Sequence, residues 1–363
     1  MQEQGFRELL LNGVAFFLSS RALAILIMSC CVVLIHRDTF CNSIAQLITL
    51  DAKTYCMKRL LLPFLLLSIN SVTAQKTLQE RLGYSKDAKL LILHADDLGM
   101  SHSENAATFY GIEHGSISSA SIMIPTPWIS EAANYQHNHP KADFGLHLTL
   151  TSEWNYLKWG SVAPSSNVPG LLNKNGFLFS SVDSVYRSAT AAEVEKELRA
   201  QIEKAKSLGI DITHLDSHMG TLFGRTDYLE VLIKLGREYK VPVLLCKPIF
   251  KLAFQVNLDS LTTERDVTID MIYMAYPQDY KNGMENFYTG ILKSLKPGVS
   301  EIIFHAAYND SEMQAAAIDH PDYGADWRQA DFNFFSSDKC RALLKEQNIQ
   351  LVTWREIRDK LMR

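Results

Sequence analysis

Four short segments of the chain carry ionisable side chains in patterns that suit chemistry. The first, His94-Ala95-Asp96-Asp97-Leu98-Gly99, follows the apolar run Lys89–His94 with two adjacent carboxylates. At the end of a buried strand such a pair is costly unless a cation compensates it, and a metal ion does so well. The plainer alternative is a loop in which Asp96 or Asp97 caps the next helix. The second segment, Gly145-Leu146-His147-Leu148-Thr149, sets a histidine between apolar neighbours, a pattern that more often marks a satisfied core residue than a ligand. The third, Thr213-His214-Leu215-Asp216-Ser217-His218, is denser. Strand alternation would put His214, Asp216 and His218 on one face, so that one binds a metal while another orients it from behind. The fourth, Ile302-Ile303-Phe304-His305, is an apolar strand ending in a histidine. A carboxylate and two histidines with open positions suit a divalent ion that activates water and polarises a carbonyl, which is the chemistry of hydrolysis.

Elements able to position these groups are legible nearby. Lys89–His94 reads as a buried strand emptying into a loop, and Ser101 with Glu104 forms a capping box for a helix that stops near Gly115. Ala120–Ile124 and Asp143–Thr151 read as strands. The clearest helix starts at Thr190, capped against Glu193, and runs through Val194, Leu198, Ile202, Ala205 and Leu208 to Gly209. After it come a strand at Ile210–Leu215, a helix around Tyr228–Tyr239 and strands at Val241–Cys246 and Glu301–His305. A helix at Asp338–Gln347 and a strand at Ile349–Trp354 close the series. Strands alternating with helices imply an α/β domain with a mainly parallel sheet, open or closed into a barrel. The stretch 76–363 is close to the roughly 250 residues typical of a (β/α) barrel. All four segments fall at the carboxyl ends of their strands, where such folds place active sites.

The whole chain has 363 residues, 47% of them hydrophobic and 21% charged, with a formal net charge of −4. This is globular composition, and its balanced charge gives no field to attract nucleic acid or acidic lipid. Residues 1–70 are crowded with apolar runs. Met57 is followed by Lys58 and Arg59, an apolar stretch from Leu60 to Ile69, and the small-x-small site Val72-Thr73-Ala74. Residues 57–74 therefore read as a secretory signal, with 1–56 an upstream extension from a start assigned too early and 76–363 a single catalytic domain. The competing reading is a membrane anchor at 13–35. Either places the domain outside the cytoplasm, periplasmic or secreted, with transient membrane contact through the N-terminal apolar segment. Beyond Met57 only Cys246 and Cys340 remain, without metal-ligand spacing, so any metal ligands are oxygen and nitrogen. Zinc and magnesium both fit, with imidazoles tilting the choice toward zinc or another transition metal.

The order HADDLG, GLHLTLT, THLDSH and a late strand ending in histidine resembles the YdjC/ChbG family of carbohydrate deacetylases. The resemblance covers residues 88–358 and includes Val168-Pro169-Gly170-Leu171-Leu172 with Asn175-Gly176-Phe177, then Trp327-Arg328-Gln329-Ala330-Asp331 and Leu351-Val352-Thr353-Trp354. It implies a distorted (β/α) barrel acting on an N-acetylated carbohydrate, with Asp97, His147 and His218 holding the metal, Asp96 as general base and His305 as general acid. Two segments depart from the family pattern. Met219-Gly220-Thr221 follow the DSH segment where further histidines are common, and His305-Ala306-Ala307 stands for His-Pro-Gly.

Substrate contacts are expected from aromatic side chains in the loop after His147, with Trp154 or Trp159 stacking on a sugar face. Arg328 is expected to contact a substrate oxygen or a catalytic carboxylate, or to form a surface ion pair. The rival readings are a metal-dependent hydrolase of another acyl or phosphoryl bond, and an inactive carbohydrate-binding relative. Few basic residues near the four segments argue against phosphate.

Overall fold

A computed structural model describes residues 76–363; the expected signal at 57–74 and the anchor at 13–35 lie outside the described residues. Seven strands form one parallel sheet: β1 (Lys89–Leu98), β2 (Ser119–Ile122), β3 (Phe144–Leu148), β4 (Ile212–Ser217), β5 (Met271–Met274), β6 (Gly298–Phe304) and β7 (Ile349–Leu351). Their order is β4-β3-β2-β1-β6-β5, with β7 paired to the first residues of β1. Helices connect the strands, as parallel pairing requires.

The sheet curls toward closure. Between β4 and β5 runs the segment 241–246, expected as a strand but present only as single bridges, Leu215 to Val243 and Cys246 to Ile269. Leu215 donates its N–H to Pro242 O and accepts from Leu244, and Ile269 donates to Leu245 O. The result is a distorted barrel with a thin seam. Pro242, inside this segment, has no N–H to give to a ladder.

The strands β1, β2, β3, β4 and β6 are buried on both faces apart from a few half-buried positions. Leu91, Leu93, Ala95, Phe144, Leu146, Leu148, Leu215, Ile302 and Phe304 join the apolar core shared with the helices. The alternate positions His94, Asp96, Ser119, Ser121, His147, His214, Asp216 and Glu301 are buried and polar. Period-two alternation thus gives the barrel an apolar outside and an inside that is polar toward the carboxyl ends of the strands, with Leu90 and Ile92 on the same inner face of β1 below.

Several boundaries differ from expectation. β1 does not end at His94 but continues through both aspartates to Leu98, with its register to β2 broken between Ala95 and Leu98. The helix His102–Glu113 is capped by Ser101, which accepts from Glu104 N–H. The reciprocal half of the expected capping box is missing because the Glu104 carboxylate is buried against Arg328. β3 is shorter than 143–151. The expected strand Ile349–Trp354 stops at Leu351, and Trp354 opens the helix Trp354–Leu361 behind its cap Thr353. β5, four residues long, was not among the strands expected from the sequence. The helix Ala191–Ser207 has the full Thr190–Glu193 capping box.

That last helix also fixes the loop leaving β3. Buried Glu197 accepts the N–H groups of Val162 and Ala163, while Gln201 accepts from Thr149 N–H and donates to Thr149 O. The loop carrying residues 152–160 is thereby anchored at both ends to one helix.

Candidate metal centre

Adjacent residues on a regular strand point to opposite faces, so Asp96 and Asp97 require a special backbone to act together. Asp97 supplies it with φ of +64°, in the left-handed region that aspartate tolerates better than most residues, and Gly99 follows at +97°. The kink brings both carboxylates to one imidazole: His147 Nε2 lies 3.6 Å from Asp96 Oδ2 and 3.5 Å from Asp97 Oδ1. His218, in the single 3-10 turn just after β4, puts Nδ1 3.3 Å from the same Asp97 Oδ1. His218 is thus carried past the strand and does not share a face with His214 and Asp216, as alternation had suggested.

The second nitrogen of each imidazole is tied down. His147 Nδ1 lies 2.7 Å from Asp216 Oδ1, directly across the β3–β4 ladder, and His218 Nε2 lies 3.0 Å from Glu153 Oε2. A carboxylate behind each histidine fixes the ring and turns its other nitrogen toward Asp97. Burial pulls both histidines down, but Asp96 and Asp216 outweigh it at His147, and Glu153 and Asp97 push His218 up to about 10. Glu153 was missed by sequence reasoning, since it sits in a loop without periodicity.

Asp97 divides its two oxygens. Oδ2 accepts from Arg328 Nη2 at 2.8 Å, while Oδ1 is buried without a hydrogen-bond partner although two imidazole nitrogens face it. Burial raises the Asp97 carboxyl, but Arg328 and His218 hold it well below the usual carboxylate range. An ionised, orphaned oxygen facing two oriented imidazoles fits a divalent ion with mixed O and N ligands. Asp97, His147 and His218 can each offer one ligand atom within a common 4.8 Å span.

Asp96 is placed differently. Its side chain is 10% exposed against 2% for Asp97, which leaves it the carboxylate of the pair that solvent or a substrate reaches. Its Oδ1 accepts from the Ser121 hydroxyl at 3.2 Å. His305 Nε2 lies 3.9 Å from Asp97 Oδ2, and its backbone N–H donates to Asp331, which also takes the Tyr288 hydroxyl. Burial and Arg328 bring the His305 imidazole down to about 4, so it is neutral near neutral pH.

Arg328 is not a surface ion pair. It is 2% exposed, bonded to Asp97 and Glu104, and its guanidinium lies 5.2 Å from the centre of the Trp154 ring. Neither tryptophan named for sugar stacking offers an open face. Trp154 is covered by Arg328 and His320, and Trp159 sits in the core with Nε1–H donated to Thr151 O. Tyr156, in the same loop, is 76% exposed.

Beneath the site, His214 and Asp216 belong to the barrel interior. His214 packs where a side chain at Gly145 would stand, since a Cβ there would come within 2.3 Å of its ring, and it stacks on Trp354. Trp354 in turn donates Nε1–H to Glu301, whose carboxyl is pushed by burial up to about 8, with His94 pulling the other way. Glu301 and His94 were not singled out by sequence reasoning. Strand alternation with Asp96 was the signal that would have found His94.

Comparison with known proteins finds relatives over most of the described residues. A carbohydrate deacetylase of Thermus thermophilus is 32% identical over 291 residues, 78% of this chain and 99% of the relative. A carbohydrate deacetylase of Brevibacillus brevis is 29% identical over 267 residues, 74% and 99% of the two chains. A solved structure from Enterococcus faecalis V583 shares the fold at a TM-score of 0.62, with 22% identity over 74% of this chain and 99% of that one. The family described as YdjC-like protein matches residues 90–346, a span that holds the aspartate pair, all three histidines of the site and Arg328, and the chain belongs to that family.

Proposed function

We propose that the protein is a metal-dependent carbohydrate deacetylase, releasing acetate from an N-acetylated sugar. The observation that carries this reading is Asp97 Oδ1, buried and unpartnered between His147 Nε2 and His218 Nδ1, in a chain similar over most of its length to carbohydrate deacetylases. Zinc or magnesium held by Asp97, His147 and His218 would polarise the acetyl carbonyl and lower the pKa of a bound water.

The chain's own groups do the remaining work. Amide hydrolysis needs an activated water, a stabilised oxyanion and a proton for the departing amine. Asp96, the reachable carboxylate, takes the proton from water through Oδ2, while Ser121 holds Oδ1. His305 delivers a proton to the sugar nitrogen. Being neutral at the start, it must collect that proton within the reaction. Asp216 and Glu153 hold the two ligand imidazoles in orientation. Arg328 is already paired with Glu104 and Asp97, which leaves it unsuited to clamping a phosphoryl group and favours an acyl substrate. The basic start, apolar run and small-x-small site within 57–74 support export, so that the domain works in the periplasm or outside the cell.

The test is acetate release by the purified protein from a panel of N-acetylated oligosaccharides, with chelator and with zinc or magnesium restored. Chelator-sensitive release, abolished by Asp96→Asn and by His147→Ala, is the expected result. Tight metal binding without acetate release from any sugar would overturn it.

A further inference from the structure

His94 lies one layer below the proposed catalytic carboxylates, fully buried, with both ring nitrogens facing oxygen. Nδ1 is 3.1 Å from Ser119 Oγ, and Nε2 is 3.1 Å from Ser121 Oγ. Each serine has one hydroxyl proton, and each has a carboxylate to give it to. Ser119 donates to Asp143 Oδ1 at 3.3 Å and Ser121 to Asp96 Oδ1 at 3.2 Å. With both hydroxyl protons given to carboxylates, both serine oxygens are free to accept, and both His94 nitrogens can donate to them. Nε2 also faces two carboxylate oxygens, Asp96 Oδ1 at 3.1 Å and Asp216 Oδ2 at 3.3 Å, the second buried without a hydrogen-bond partner of its own.

The geometry points to His94 as a buried imidazolium that positions Asp96 for its role as base and ties it to Asp216, the carboxylate that orients His147. This rests on the proposed deacetylase reading for the role of Asp96, but the charge on His94 does not. The groups packed around the ring are consistent: Asp96 on its own strand, Ser119 and Ser121 on β2, His214 and Asp216 on β4, and Glu301 on β6. Three of them are carboxylates and none is a fixed cation. Burial pulls His94 down, yet Glu301, Asp216 and Asp96 hold it well above the ordinary histidine range. His94, His214 and Asp216 also have the spacing of a metal trio. With both His94 nitrogens donating, the imidazole has no lone pair for a metal, so the cation at this level is the histidine itself.

A positioning role separates from a merely structural one in two measurements. In the intact wild-type protein, nitrogen-15 NMR of His94 should show both ring nitrogens protonated at about pH 8, where an ordinary histidine is neutral. One unprotonated nitrogen would overturn the proposal, whatever the enzyme's activity. His94→Gln keeps a donor group, its amide NH2, without the charge. It should lower kcat roughly 10- to 100-fold with KM changed by less than about threefold, and His94→Leu should lower kcat further. Unchanged kcat in a folded His94→Leu protein would also overturn it. If wild type releases no acetate at all, the deacetylase reading fails while the NMR result still decides the state of His94.

Discussion

Two polar groups lie within one barrel, and they differ in how they are completed. The inner group, His94, Ser119, Ser121, Asp143 and Thr213, is bonded mainly within itself, its hydroxyls donating to carboxylates and lying within 3.1 Å of the His94 and His214 nitrogens, while His214 Nε2 and Asp216 Oδ2 at its edge have no hydrogen-bond partner. The outer group, Asp97, His147 and His218, turns an orphaned oxygen toward two imidazole nitrogens. Buried polar groups are ordinarily paired, so a closed network reads as architecture and an open one as a place for something else to bind. Asp216 belongs to both, with Oδ1 on His147 and Oδ2 toward His94.

The contrast is broken most directly at Asp97. Asp97→Asn keeps a residue that tolerates the left-handed backbone but removes the ionised ligand. Metal content measured by mass spectrometry should fall from about one ion per chain to near none, and acetate release should drop about 1000-fold or more. A variant that still binds metal tightly would mean the outer group is merely another polar network. A smaller effect is expected where the two groups meet. Asp216→Asn leaves His147 in place but weakens its orientation, so metal affinity by competition titration should fall roughly 10- to 100-fold. No change would separate the groups completely.

The smallest effect concerns the support of His305. Burial pushes the Asp331 carboxyl up to about 7, with the Tyr288 hydroxyl and the His305 N–H pulling the other way. Its folded pKa is raised above its unfolded value, so its contribution to stability is full below the unfolded pKa of about 3.9 and is lost as pH rises through 7. Urea unfolding at about pH 5 and pH 8 should show wild type losing on the order of 2 kcal/mol from this group. Asp331→Asn, which cannot ionise, should lose less over the same window. Equal slopes would show that Asp331 is already charged.

What sequence could reveal tracks this division. Asp96, Asp97, His147 and His218 stand in short segments whose composition is unusual for buried strands, and the structure brings all four together. Strand alternation located the inner face but failed at its upper rim, where Asp97 leaves extended geometry and His218 leaves the strand. Glu104 satisfied a local capping pattern while its side chain answered to Arg328, more than two hundred residues away. Trp154 and Trp159 show the same limit, because composition cannot tell a ring that packs from one that waits for a ligand. The 241–246 segment has the apolar content of a strand, yet its pairing is reduced to single bridges.

The left-handed backbone at Asp97 also narrows what evolution can place there. β-branched and bulky residues are strained at a φ of +64°, whereas asparagine, glycine and aspartate are tolerated. A single base change converts an aspartate codon to either of the other two. Among the residues one base change from aspartate, these two both preserve the turn and remove the charge. Loss of catalysis with retention of the fold lies one mutational step from this sequence, a short path from enzyme to inert carbohydrate-shaped scaffold.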